Sequence, residues 1–153
     1  MQRDLIVVEI QRRLNLITIA NGHDFDINLV YRNPEGEPSP NIMPMSNIFE
    51  FPSFTTEPSR RGGSQMPEYR QDFQVVLEHW YKSTSLGACS RDIMNYLKSA
   101  REVVFSDGQR LGGLAQAVVE SEVSRVYRPP IGSNAVGIGQ VLNILFVEDF
   151  NNL

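Results

Sequence analysis

The sequence predicts an α+β domain, a mixed or antiparallel β-sheet flanked by two main helices in the order α-β-β-β-α-β-β. Three stretches carry that expectation. Between Tyr69 and Phe105 the apolar period changes: Phe73, Val75, Leu77, His79 and Tyr81 alternate with Gln74, Glu78 and Lys82, and then Ile93, Leu97, Ala100 and Val104 recur at helical spacing. Near the start, Leu5, Ile6, Ile10, Leu14 and Ile17 form a helical stripe. Near the end, 115–128 and 136–148 both alternate as long strands. No repeat and no linker divides residues 1–153, so one domain is expected, large enough to bury a real core.

In order, the first helix is expected over Asp4 to Ile19. Glu9, Arg12 and Arg13 lie off its apolar stripe, Asp4 sits near the positive end of the dipole, and Asn21-Gly22 closes it. A strand follows over Phe25 to Arg32, stopped by Asn33-Pro34, and Glu35 to Pro40 is a Pro/Gly-rich loop. A second strand covers Asn47 to Phe54, where Pro52 points to an edge position or an early end. Thr55 to Pro67 contains Pro58, Arg60, Arg61, Gly62 and Gly63 without a core anchor, so a mobile loop is expected there. In the central strand Val76 and Trp80 interrupt the polar side, which implies partial cover of its second face. Ser85 is the expected cap of the second helix and Asp107-Gly108 its stop, and Leu111-Gly112-Gly113 is a turn. Strands over Ala115 to Arg128 and Val136 to Glu148 complete the domain. The last has apolar residues on both sides, as a central strand covered on both faces would.

Composition narrows the function. The chain is 41% hydrophobic and 21% charged, as a soluble globular protein is, and its net charge of −4 argues against coating nucleic acid. Among its basic residues only Lys82 and Lys98 are lysines; the rest are arginines, which suit interfacial contacts. Cys89 is the only cysteine, so no intrachain disulfide forms. No apolar run reaches membrane-spanning length and no signal-peptide layout is visible, so a soluble, cytoplasmically assembled protein is expected.

Three constellations invite chemical readings. His23, Asp24 and Asp26 combine metal-ligating types but occupy a helix-to-strand turn, where such residues serve the backbone. His79 and Cys89 could form a base and nucleophile, although His79 lies on the apolar side of its strand, where a satisfied core histidine is the commoner case. Asp72, Glu78 and Lys82 invite comparison with a magnesium-dependent nuclease core. The acid and the lysine are four residues apart rather than two, with Trp80 between, and a solvated face is the favoured reading. Gly112-Gly113 and Gly137-Ile138-Gly139 lack the lysine and the strand-to-helix switch of a phosphate loop. No cofactor is expected.

The whole pattern resembles the bacteriophage tail terminator, or tail completion, family. The resemblance rests on the opening helix from Leu5-Ile6 to Arg13-Leu14, and on a β-hairpin with a Pro-rich segment, Asn33 to Pro44. It continues through the variable loop Thr55 to Pro67, the strand Phe73-Gln74-Val75-Val76-Leu77 and the Ile93-to-Val104 helix. It ends on the last strand, Gly139-Gln140-Val141-Leu142-Asn143-Ile144-Leu145-Phe146. It spans nearly the whole chain and implies a non-enzymatic virion protein. Such a protein forms a homo-oligomeric, hexameric ring on the end of the tail tube, stops its polymerisation and meets the head-tail connector or neck. DNA would pass through the ring without specific binding, and no membrane is involved. Arg60, Arg61, Gly62 and Gly63 are the expected partner-contact loop. The alternatives are a head-completion or neck adaptor protein of the same virion, or a small metal-dependent hydrolase or nuclease.

Overall fold

A computed structural model describes residues 2–36, 38–58, 68–124, 126–127 and 133–149, with backbone only at 52–58, 68, 69 and 149. Helix α1 (Gln2–Leu14) buries Ile6, Val7, Ile10 and Leu14. It stops at Leu14, short of Ile19, because the next residues find other partners. Leu16 and Ile17 tighten the last turn by bonding Arg13 and Leu14 carbonyls, and the Ile17 carbonyl accepts from the Ile27 amide at 2.9 Å. Thr18 then caps a 3₁₀ turn, Ile19–Asn21, which Gly22 closes at φ 90°.

Strand β1 is Leu29–Arg32, shorter than the alternation from Phe25 suggests. Phe25 lies outside the strand and is buried in the core, its ring 4.7 Å from Tyr96 and 5.3 Å from Tyr81. β1 pairs in parallel with β2 (Met45–Pro58), so the expected hairpin is a crossover. The Pro-rich connection 33–44 has about the dozen residues such a return needs. Both ends are pinned beside β2. The Asn28 amide bonds the Pro44 carbonyl at 2.8 Å, and the Asn33 side chain exchanges hydrogen bonds with Glu50.

β2 is longer than expected: Thr55 to Pro58, assigned from sequence to a loop, pair with β3 (Glu68–Lys82). The rest of that expected loop, including Arg60, Arg61, Gly62 and Gly63, lies outside the described residues. β1 covers β2 only as far as Ile48, so Pro52 sits on a stretch of edge that no other described strand pairs, within a register shift between Phe51 and Thr55. After a 3₁₀ turn that starts behind Ser85, helix α2 (Cys89–Val104) buries Ile93, Tyr96, Leu97, Ala100 and Val104. The Leu111–Gly113 turn follows, with all three residues at positive φ. β4 (Ala117–Val123) is shorter than the expected 115–128, with one further bridge from Tyr127 to Gly137. β5 (Ala135–Asp149) completes the chain.

The fold is thus α+β, with a mixed sheet in the order β1-β2-β3-β5-β4. β3 and β5 pair antiparallel along their whole length, from Glu68 opposite Asp149 to Lys82 opposite Ala135. Both helices lie on one face, over Ile48, Phe73, Val75, Leu77, Ile138, Leu142, Ile144 and Phe146. The opposite face has no helix among the described residues, so β5 is central in the sheet but not sandwiched as its two apolar sides suggested.

Arg13, expected off the apolar stripe, is only 5% exposed. Its guanidinium bonds the Val104 carbonyl at 2.9 Å, Asp107 at 2.7 and 3.0 Å, and Glu9 at 2.9 Å. It therefore ties α1 to the end of α2, and Asp107 passes the tie to the Gly112 amide at 2.6 Å. Hydrogen bonds from Arg13 hold the Asp107 carboxyl well below its usual range, and those from Arg12 and Arg13 bring Glu9 down to about 2.

Candidate functional site: a sealed polar row and an open sheet face

On the helix face the apolar rows are interrupted by Ser46 on β2, His79 on β3 and Gln140 on β5. Core parity forces all three inward. They join one row of side chains under α2. Tyr96 Oη lies 2.6 Å from Ser46 Oγ, Ser46 Oγ lies 2.8 Å from His79 Nδ1, and His79 Nε2 lies 3.0 Å from Gln140 Oε1. Gln140 Nε2 then donates to Glu120 Oε1 on β4 at 2.8 Å, and Arg101 on α2 clamps both Glu120 oxygens at 2.9 to 3.1 Å. The row crosses four neighbouring strands and both its ends rest on α2. A bulge between Glu120 and Glu122 lies beside its outer end.

Ser46 beside His79 has the composition of a nucleophile and base. Ser46, His79, Tyr96 and Gln140 are all 0% exposed, however, so no substrate reaches them. Burial lowers the His79 pKa to about 4 and pushes the Tyr96 hydroxyl far up, so both are neutral at pH 7. Burial alone would raise Glu120, but hydrogen bonds from Arg101 and Gln140 outweigh it and hold the carboxyl below its ordinary value. Satisfied in this way, the row is a polar component of the core.

The opposite face divides in two. At one end Met43, Met45 and Ala135 are buried with Leu29, Ile42 and Trp80 around them. The Trp80 ring lies over Gly137, where a Cβ would come within 2.8 Å of it, and stacks on Tyr127. Its indole N–H donates to Glu78, which also accepts from Asn47 at 3.4 Å. At the other end no described residue covers the sheet. Phe51 and Val119 are 46% and 45% exposed, and Val76, Ala117, Val141 and Leu145 are half-buried around them. A groove of about 470 Å³ lies there, lined by Asp72, Gln74, Ala117, Val119, Asn143 and Leu145 among others.

The residues singled out from sequence are dispersed. His23 bonds Ser99 at 3.0 Å, whereas Asp26 accepts from the Ile19 amide at 2.8 Å, a backbone role. The thiol of Cys89 is buried against the Ser85 and Asn134 carbonyls, and the hydrogen bonds of His79 go to Ser46 and Gln140. Asp72 lines the groove, but Glu78 is engaged by Trp80 and Asn47. Among the described residues no three His, Cys, Asp or Glu side chains are grouped to hold a metal ion, and no helix is long and apolar enough to cross a membrane. Sequence reading missed Ser46, Tyr96, Arg101, Glu120 and Gln140. The available signal was a polar residue at core parity in three adjacent strands.

Compared with known proteins, the chain matches no family model and no curated protein.

Proposed function

We propose that the chain is a structural virion protein of the tail-terminator kind: a ring of identical subunits, six by the resemblance, that caps a phage tail tube. The ring ends tube polymerisation and presents a joining surface to the head or neck. The reading is supported by the α-β-β-β-α-β-β order that the resemblance rests on, and above all by the bare half of the sheet. A sheet whose described helices all lie on one face has apolar area on the other, and a partner protein is what such a face accommodates.

The edges are less inviting. β1 is short, β4 carries a bulge and an inward-turned Glu120, and the unpaired stretch of β2 contains Pro52 at a register shift. Each feature discourages strand addition, which favours assembly through the face over assembly through the sheet edges. A head-to-tail contact that closes on itself gives a ring, and closure is what lets a cap stop growth that the tube's own contacts would continue.

Virion assembly without the protein tests the reading. Tails should overgrow, and added protein should restore uniform tails that join heads. Tails of normal length that fail only to join heads would support the neck-adaptor alternative instead, and normal tails on normal heads would refute both.

A further inference from the structure

The direction of every hydrogen bond in the buried row follows from its exposed end. Arg101 can only donate and a Glu120 carboxylate can only accept, so the bond from Gln140 must come from its amide nitrogen. Gln140 therefore turns its oxygen to His79, and an oxygen acceptor there requires the proton on Nε2. The neutral imidazole then has only a lone pair on Nδ1. Ser46 must donate to it, and Ser46 Oγ in turn accepts from Tyr96. We propose that the Arg101–Glu120 pair fixes the tautomer of His79 and the polarity of the whole row, making it an acid-sensitive latch between α2 and the sheet.

The latch follows from what one added proton does. On Nδ1 it obliges His79 to donate to Ser46, and the buried pair Ser46 and Tyr96 then holds two hydroxyl protons of which one has lost its acceptor in the row. Placed on Glu120 instead, it gives Gln140 a donor to face and frees the amide to turn over. Tyr96 and Arg101 from α2 and Glu120 from β4 are the titratable or charged groups that face His79 through this row; β2 and β5 contribute the neutral Ser46 and Gln140. The ring of Tyr96 also stacks on His79, 4.9 Å between centroids, so displacing either disturbs the seat of α2. The inference is independent of the proposed role in tails.

Long-range proton–nitrogen correlation spectra of the full chain read the tautomer directly, and a His23→Gln variant assigns the two histidines. At pH 7 His79 should be wholly the Nε2–H form, and in Glu120→Gln, whose amide can donate, the Nδ1–H form should appear. An Nδ1–H tautomer in the parent, or no change in the variant, overturns the proposal. Should the variant not fold, hydrogen exchange of the parent decides: protection of α2 and β4 amides should fall about twentyfold between pH 7 and pH 5, ahead of the β3–β5 ladder. Protection of α2 and β4 at pH 5 that still equals that of the ladder, or no fall at all, contradicts the latch.

Discussion

The two faces of this sheet use polar groups in opposite ways. On the helix face Ser46, His79 and Gln140 are wholly buried, and each is consumed by a neighbour in a row that ends on Arg101 and Glu120. On the other face Asp72, Gln74 and Asn143 border an apolar groove that the described part of the chain leaves open. The contrast teaches where change is expensive: inward groups are tied to the fold, whereas the bare half can be altered with the fold intact.

The largest effect should come from placing a charge on the helix face. Leu142 is 0% exposed, and Leu142→Asp buries a carboxylate with no partner, at a cost of several kcal/mol against a total stability of roughly 5–15 kcal/mol. The expected outcome is loss of a cooperative thermal transition. A soluble Leu142→Asp protein with unchanged melting would mean that the two faces have been confused.

Acid should act on the same face. In the unfolded chain His79 takes up its proton near pH 6.5, but the folded protein resists to about pH 4. Stability is therefore intact above pH 6.5 and is lost as the pH falls from there towards 4, by roughly 3 kcal/mol. The carboxylates of Glu9, Glu50 and Glu120, all lowered by their partners, add their losses at more acid pH. Urea midpoints measured across this range should show the first decline, and His79→Gln should abolish it from a lower starting stability.

Arg13→Ala should cost about 2 kcal/mol, because it leaves the Val104 carbonyl without its buried donor and unties α1 from α2. Chemical unfolding measures it, and Arg12→Ala, at an exposed ion pair, should be nearly silent. On the covered half of the other face Gly137→Ala should cost about 1 kcal/mol by pushing the Trp80 ring off its seat. Trp80 is the only tryptophan, so its fluorescence reports the displacement directly.

Much of this contrast was legible in the sequence. The period change from β3 to α2 and the apolar parity of β5 specified a sheet with helices and identified most of its core. The misreadings have physical causes. Ile17 and Ile19 continue the stripe of α1, but Ile17 keeps its burial after the helix has ended. Phe25 and Ile27 alternate like a strand while packing against side chains and loop backbone. A Pro-rich segment between two strands reads as a hairpin loop, and only the side-chain and backbone ties of Asn28 and Asn33 reveal the parallel return. In the polar row Ser46, His79 and Gln140 could have been found from parity. Glu120 and Arg101 could not, since their pairing depends on where α2 crosses β4.

The bare half yields the smallest change in stability and the most direct test of the central claim, that this face is where the protein assembles. Val119→Asp replaces a side chain that is 45% exposed and should shift stability by no more than about 0.5 kcal/mol. Electron microscopy of tail tubes incubated with parent or variant is the deciding measurement. The account predicts capped, uniform tubes with the parent, and uncapped tubes with a Val119→Asp protein that melts as the parent does. Normal capping by that variant would contradict it.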